Sequence, residues 1–106
     1  VYTMLLEDVF EALPKTKIML ISPYIVHGTS TDGIFERLHK DVSEKAEAVM
    51  RVANNFNLPC ITLQEVFDEA IKKAPANYWT MDGVHPRSAG HGLICEQWLS
   101  TFEKIM

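Results

Sequence analysis

The run Asp82-Gly83-Val84-His85-Pro86 carries the sharpest chemical signal in the chain. A carboxylate three residues ahead of an imidazole can fold back across a flexible Gly83, accept the Nδ1 proton and hold the ring with Nε2 outward, free to act as a base. Pro86 biases His85 toward extended backbone, which holds the side chain out from the turn and away from the helix that follows. Spacing alone does not settle the role. In the plainer alternative Asp82 and Gly83 make an ordinary turn and His85 is a surface or capping residue.

Other reactive side chains fit chemistry less well. Gly28-Thr29-Ser30-Thr31-Asp32-Gly33 approaches a Gly-x-Ser-x-Gly elbow but is one residue too long, and it does not join a strand directly to a helix, which argues against Ser30 as a nucleophile. Ser22 ends a strand but is followed by Pro23, so its hydroxyl is expected to satisfy backbone. Cys60 and Cys95 lie in apolar patterns and read as core thiols. Asp82, His85 and His91 could be read as three metal ligands, yet convergence on a metal would require a further partner for His85, and no metal or other cofactor is expected. His27 and His39, in or beside a long loop, are expected at the surface. Tyr78 and Trp79 either line an acyl or sugar pocket or anchor the loop to the body of the domain. Tyr24 to Gly33 follow the carboxyl end of a strand, where open α/β sheets bind ligands, and are candidate substrate contacts.

The elements that must position these residues follow from periodicity. Leu5, Val9, Ala12 and Leu13 recur at helical spacing up to Pro14, and Ile18 to Ile21 is an apolar run of strand length. Tyr24 to about Lys40 reads as a long loop with a helical turn at Ile34 to Leu38. Asp41 is placed to cap a helix whose inward face is Val42, Ala46, Val49, Ala53 and Phe56, ended by Asn57 and Pro59. Cys60 to Leu63 reads as a second strand, Glu65 to Lys73 as a helix, and Ser88 as the cap of a last helix bearing Leu93, Ile94, Trp98, Leu99 and Phe102, with Trp98 in the core. Strand, helix, strand implies a parallel pair joined by a right-handed crossover. The class is therefore α/β, and two strands are too few for a parallel sheet, whose exposed edges would seek further strands.

The chain has 106 residues, 47% hydrophobic and 23% charged, the proportions of one domain. Its 10 Lys and Arg against 14 Asp and Glu give a net charge of -4, the opposite of a nucleic-acid footprint and poor for an anionic membrane. No apolar stretch reaches the roughly 20 residues of a membrane-spanning helix, and no export signal opens the sequence. Two cysteines make no disulfide scaffold, so a reducing, cytoplasmic setting is the default.

The longer run Tyr78-Trp79-Thr80-Met81-Asp82-Gly83-Val84-His85-Pro86-Arg87-Ser88-Ala89-Gly90-His91 resembles the last sequence block of the SGNH hydrolases, also called GDSL esterases. Lys17 to Pro23 is similar to that family's penultimate strand with its Ser-Pro exit, Asn57-Leu58-Pro59 ahead of Cys60 to the entry of its final strand, and 41–56 to its crossover helix. The resemblance implies a flavodoxin-like three-layer α/β/α fold of which residues 1–106 form a single partial domain, the C-terminal portion. It makes His85 the base that activates a serine and Asp82 its orienting partner. No Gly-Asp-Ser and no Gly-x-Asn-Asp block is present, so the nucleophile and oxyanion donors are expected outside these residues, and the chain by itself is expected to be inactive. The implied substrate is a small ester, the implied partner the N-terminal half or a second copy of the chain. A reading from another class is that the chain has no catalysis and serves as an assembly or binding module through its open sheet edge.

Overall fold

A computed structural model describes all residues, 1–106. The first helix, α1, runs Tyr2–Ala12. Leu13 leaves helical geometry at φ -135, ψ 66, as the residue ahead of Pro14 is forced to. Its buried side chain is Leu6, with Phe10 packed behind it, while Leu5 and Leu13 are exposed. The inward face is thus rotated by about one residue from the Leu5, Val9, Ala12 and Leu13 stripe. Leu6 and Phe10 repeat at i, i+4 just as Leu5 and Val9 do, and only the packing partners choose between the two rows.

Strand β1, Leu20–Ser22, pairs in parallel with β2, Cys60–Thr62, in the register Leu20↔Cys60, Ile21↔Ile61, Ser22↔Thr62. Ile18 and Met19 fall outside the ladder because the partner strand is so short. Pro59 precedes it, its carbonyl accepting from the Leu20 amide, and a helix begins at Leu63. The crossover helix α2 spans Phe35–Asn55, so residues 35–40, for which the sequence predicts only a helical turn at Ile34 to Leu38, are continuous with it and Asp41 lies inside the helix, not at its cap. Glu36, Arg37, Leu38 and Lys40 are good helix formers with few apolar positions, so propensity extends the helix where periodicity is silent. Asn57, at φ 55 in the left-handed region that Asn tolerates, turns the chain toward Pro59. Helix α3, Leu63–Ala70, a single short turn of helix α4, Ala76–Trp79, and α5, Ser88–Ile105, complete the chain. Arg87 holds the cap position and Ser88 is the first helical residue.

Alternation along the strands sends successive side chains to opposite faces. Leu20 and Cys60 join Leu6 and Ala53 on the face covered by α1 and α2, and Ile61 joins Val26, Leu63 and Phe67 on the face covered by α3 and α5. The fold is α/β, two parallel strands with flanking helices. Its cores are small. Only 14 of 106 residues are buried, and Ile21, Trp98, Leu99 and Phe102 are all exposed. Trp98, expected in the core, stacks on Phe102 with ring centroids 5.0 Å apart on the open side of α5. Cys95 is exposed too, and Cys60 is half-buried. The apolar stripe of α5 is real, but α3 and β2 reach only the part around Leu93 and Ile94. The radius of gyration is 15.2 Å, against about 13 Å for a well-packed chain of this length.

Candidate active site

The segment 80–86 is a closed loop between α4 and α5. Thr80 and Pro86 form an isolated antiparallel bridge, the Met81 amide donates to the His85 carbonyl at 2.8 Å, and the Arg87 amide donates to the Trp79 carbonyl at 2.8 Å. Inside it the Gly83 amide donates to Thr80 Oγ1 at 2.9 Å, which gives a buried backbone donor its partner. Gly83 sits at φ +100, and a Cβ there would come within 2.5 Å of the Val26 carbonyl oxygen. Only glycine meets both demands.

The loop geometry brings Asp82 and His85 together. Asp82 Oδ1 accepts from the backbone amides of Val84 at 3.0 Å and His85 at 2.9 Å, a local turn that fixes the carboxylate. Asp82 Oδ2 lies 2.7 Å from His85 Nδ1. The carboxylate is held well below the usual range, first by the His85 backbone amide, then by the His85 ring, the Val84 amide and the Ser30 hydroxyl. With Nδ1 engaged by the acid, Nε2 is the ring nitrogen left for chemistry, and the His85 side chain is 73% exposed.

A second loop braces the first. The Val26 amide donates to the Gly83 carbonyl at 3.0 Å, the Ser30 amide to the Asp82 carbonyl at 2.9 Å, and Ser30 Oγ to Asp82 Oδ2 at 3.0 Å. Thr31, fully buried, donates to the Val26 carbonyl at 2.7 Å and keeps this second loop folded on itself. Ser30 therefore meets the acid and not Nε2 of the base. Ser22 Oγ donates to the Ile61 carbonyl at 3.2 Å, the backbone role expected of it.

The aromatic candidates divide. The Tyr24 ring stacks on Phe67 at 3.9 Å and its hydroxyl donates to the Val84 carbonyl at 2.7 Å, so it braces the loop from below. Burial, helped by the Asp82 charge, pushes that phenol up to about 12. Trp79 donates its Nε1 proton to the Ala74 carbonyl at 3.1 Å, packs on the Phe67 cluster and also lines a cavity with Leu93 and Val66. Tyr78, edge-on to Trp79, remains 55% exposed. His27 is at the surface, 3.2 Å from Asp32 and stacked on Phe35. No three His, Cys, Asp or Glu side chains gather as a metal-ligand set, and His91 is exposed on α5. Four cavities are lined without Asp82 or His85, and one of them, about 490 Å³, lies beside Ser22 and Thr62 against α2.

Reading the sequence missed Thr80, Ser30 and Gly28 as supports of the pair. Gly28 had a signal, a glycine in the loop after β1, but what it must avoid, the Asp82 backbone, lies more than fifty residues away.

No protein-family model and no curated protein matches this sequence. Solved structures do. A protein described as a GDSL-like lipase from Parabacteroides merdae superposes with a TM-score of 0.88 at 31% identity, over 94% of this chain and 45% of that one. Axe2, an acetylxylan esterase from Geobacillus stearothermophilus, superposes at 0.72 with 24% identity and the same coverage, a likeness of fold. Catalytic mutants of Axe2 replace a serine, an aspartate and a histidine by alanine, the serine near its N-terminus and the other two three positions apart. No helix of the present chain is long and apolar enough to cross a membrane. The chain spans less than half the length of these proteins, and over that span its fold is similar to that of the GDSL-like lipase and of the acetylxylan esterase.

Proposed function

We propose that this chain supplies the acid and base of a serine ester hydrolase, with Asp82 orienting His85. The observation that carries this reading is the 2.7 Å contact between Asp82 Oδ2 and His85 Nδ1, with Nε2 turned to chemistry from an exposed ring. Support comes from the GDSL-like relative and from the equal spacing of the catalytic aspartate and histidine in Axe2. The serine and the oxyanion donors belong to polypeptide outside residues 1–106, which would also add the strands that make a three-layer α/β/α sheet.

The reaction is acyl transfer. The serine oxygen attacks the ester carbonyl while His85 Nε2 takes its proton, and Asp82 stabilises the imidazolium without taking that proton itself. The oxyanion collapses, the C–O bond to the alcohol breaks, and His85 returns the proton to the departing alkoxide. Water, deprotonated by the same nitrogen, then attacks the acyl-serine and releases the acid. His85 lines none of the four cavities described, which fits an acyl pocket walled in part by polypeptide outside residues 1–106. Small acyl esters such as acetylated sugars are the proposed substrates.

The test is hydrolysis of a short-chain nitrophenyl ester and of an acetylated xylooligosaccharide by the 106-residue chain, the full-length protein and its His85→Ala variant. Activity in the full-length protein alone, lost in the variant, supports the reading. Full activity in His85→Ala overturns it.

A further inference from the structure

The geometry points to Ser30 as a positioning residue for the Asp82–His85 pair, holding the carboxylate through a hydrogen bond from the loop after β1; this rests on the hydrolase reading. An ionised carboxylate has about four acceptor positions, two on each oxygen. On Asp82 all are used: Oδ1 by the Val84 and His85 amides, Oδ2 by His85 Nδ1 at 2.7 Å and by Ser30 Oγ at 3.0 Å. Three of those donors come from the Asp82 loop itself and move with it. Ser30 is the one donor from a different part of the chain, 52 residues away, so it alone ties the carboxylate to the sheet-bearing body of the domain.

The contact is built into the backbone. Ser30 also donates its amide to the Asp82 carbonyl at 2.9 Å, and Thr31 and Asp32 both donate backbone amides to the Gly28 carbonyl, at 3.0 and 2.8 Å, so that 28–32 is a tight turn with no slack. A Cβ on Gly28 would stand 2.2 Å from the Asp82 carbonyl carbon, which shows how closely the two loops are pressed. Ser30 itself is exposed, so its side chain fills no core and its hydroxyl is what the position contributes. Without that donor, Oδ2 keeps a free acceptor position facing water, and the carboxylate is held only by donors of its own loop, so the ring it steers loses its tie to the rest of the domain.

The test compares Ser30→Ala and Ser30→Thr in the full-length protein, with His85→Ala in the same ester assay. Ser30→Ala should lower kcat about 3- to 10-fold, the worth of one ordinary hydrogen bond, and leave KM unchanged. Ser30→Thr, which keeps the hydroxyl at an open position, should restore kcat. The assignment is overturned if Ser30→Ala matches wild type in kcat, if Ser30→Thr is as impaired as Ser30→Ala, or if Ser30→Ala fails to fold. In each of these cases a dead His85→Ala leaves the hydrolase reading standing, whereas an active His85→Ala removes that reading first.

Discussion

Gly28 and Asp82 touch through their backbones: a Cβ on Gly28 would lie 2.2 Å from the Asp82 carbonyl carbon and 2.4 Å from its oxygen. The loop after β1 and the loop before α5 are therefore fitted at main-chain distance, and no side chain longer than hydrogen can stand between them. The pair Asp82–His85 is held from outside as well as by its own turn.

Gly28→Ala should consequently force the loops apart, costing about 2 kcal/mol or more of stability, since backbone cannot yield as a flexible side chain would. Gly92→Ala is the control. Gly92 lies inside α5 with open space around it, and there alanine should stabilise by about 0.5–1 kcal/mol. Denaturant midpoints of the two variants should move in opposite directions. Equal shifts would mean that the loops are not fitted as described.

Tyr24→Phe tests the brace beneath the loop. Removing the bond to the Val84 carbonyl should cost about 0.5–1.5 kcal/mol while the ring stays stacked on Phe67. The raised phenol gives a pH signature: the folded state favours the protonated form, so this stabilisation is whole below about pH 10 and is lost as pH rises to about 12. Subtracting the tyrosinate absorbance titration of Tyr24→Phe from that of wild type should leave one step near 12. A step near 10 would show the phenol to be unburied and unbonded.

Asp82 should remain ionised across the whole range of an ester assay. Its folded value is depressed, so the stability it contributes is present above the ordinary carboxylate value near 4 and is lost only as pH falls through the lower folded one. Carbon NMR of the Asp82 carboxyl should show no titration step between about pH 4 and 8. Asp82→Asn, which keeps size but gives up one charged acceptor oxygen, should lower kcat by about 10²-fold or more with little change in KM, the pattern of a group that acts in the transition state.

The exposed apolar surface has a solution consequence. Ile21, Trp98, Leu99 and Phe102 are uncovered, and each strand has an unpaired edge. The 106-residue chain alone should self-associate and bind an apolar dye. Light scattering after size exclusion checks this, and a monomer that unfolds cooperatively would overturn it.

How much of this was legible in the sequence depended on distance along the chain. Asp82 and His85 are three residues apart, Gly83 and Pro86 shape the turn between them, and the contact was readable because everything that makes it is local. The same holds for β1 and β2, whose apolar runs and flanking prolines mark them, and for the parallel pairing that a helical crossover dictates. The rotated face of α1 and the exposed Trp98 were not legible, because a helix has several apolar rows and only the surface packed against it decides which is buried. Nor were the bonds from Ser30 to Asp82 and from Tyr24 to Val84, 52 and 60 residues apart. By itself the sequence determined the contact between Asp82 and His85 and the strands; tertiary structure alone decided what holds those two residues still, because a hydrogen bond between distant residues leaves no periodicity or spacing for a reader to find.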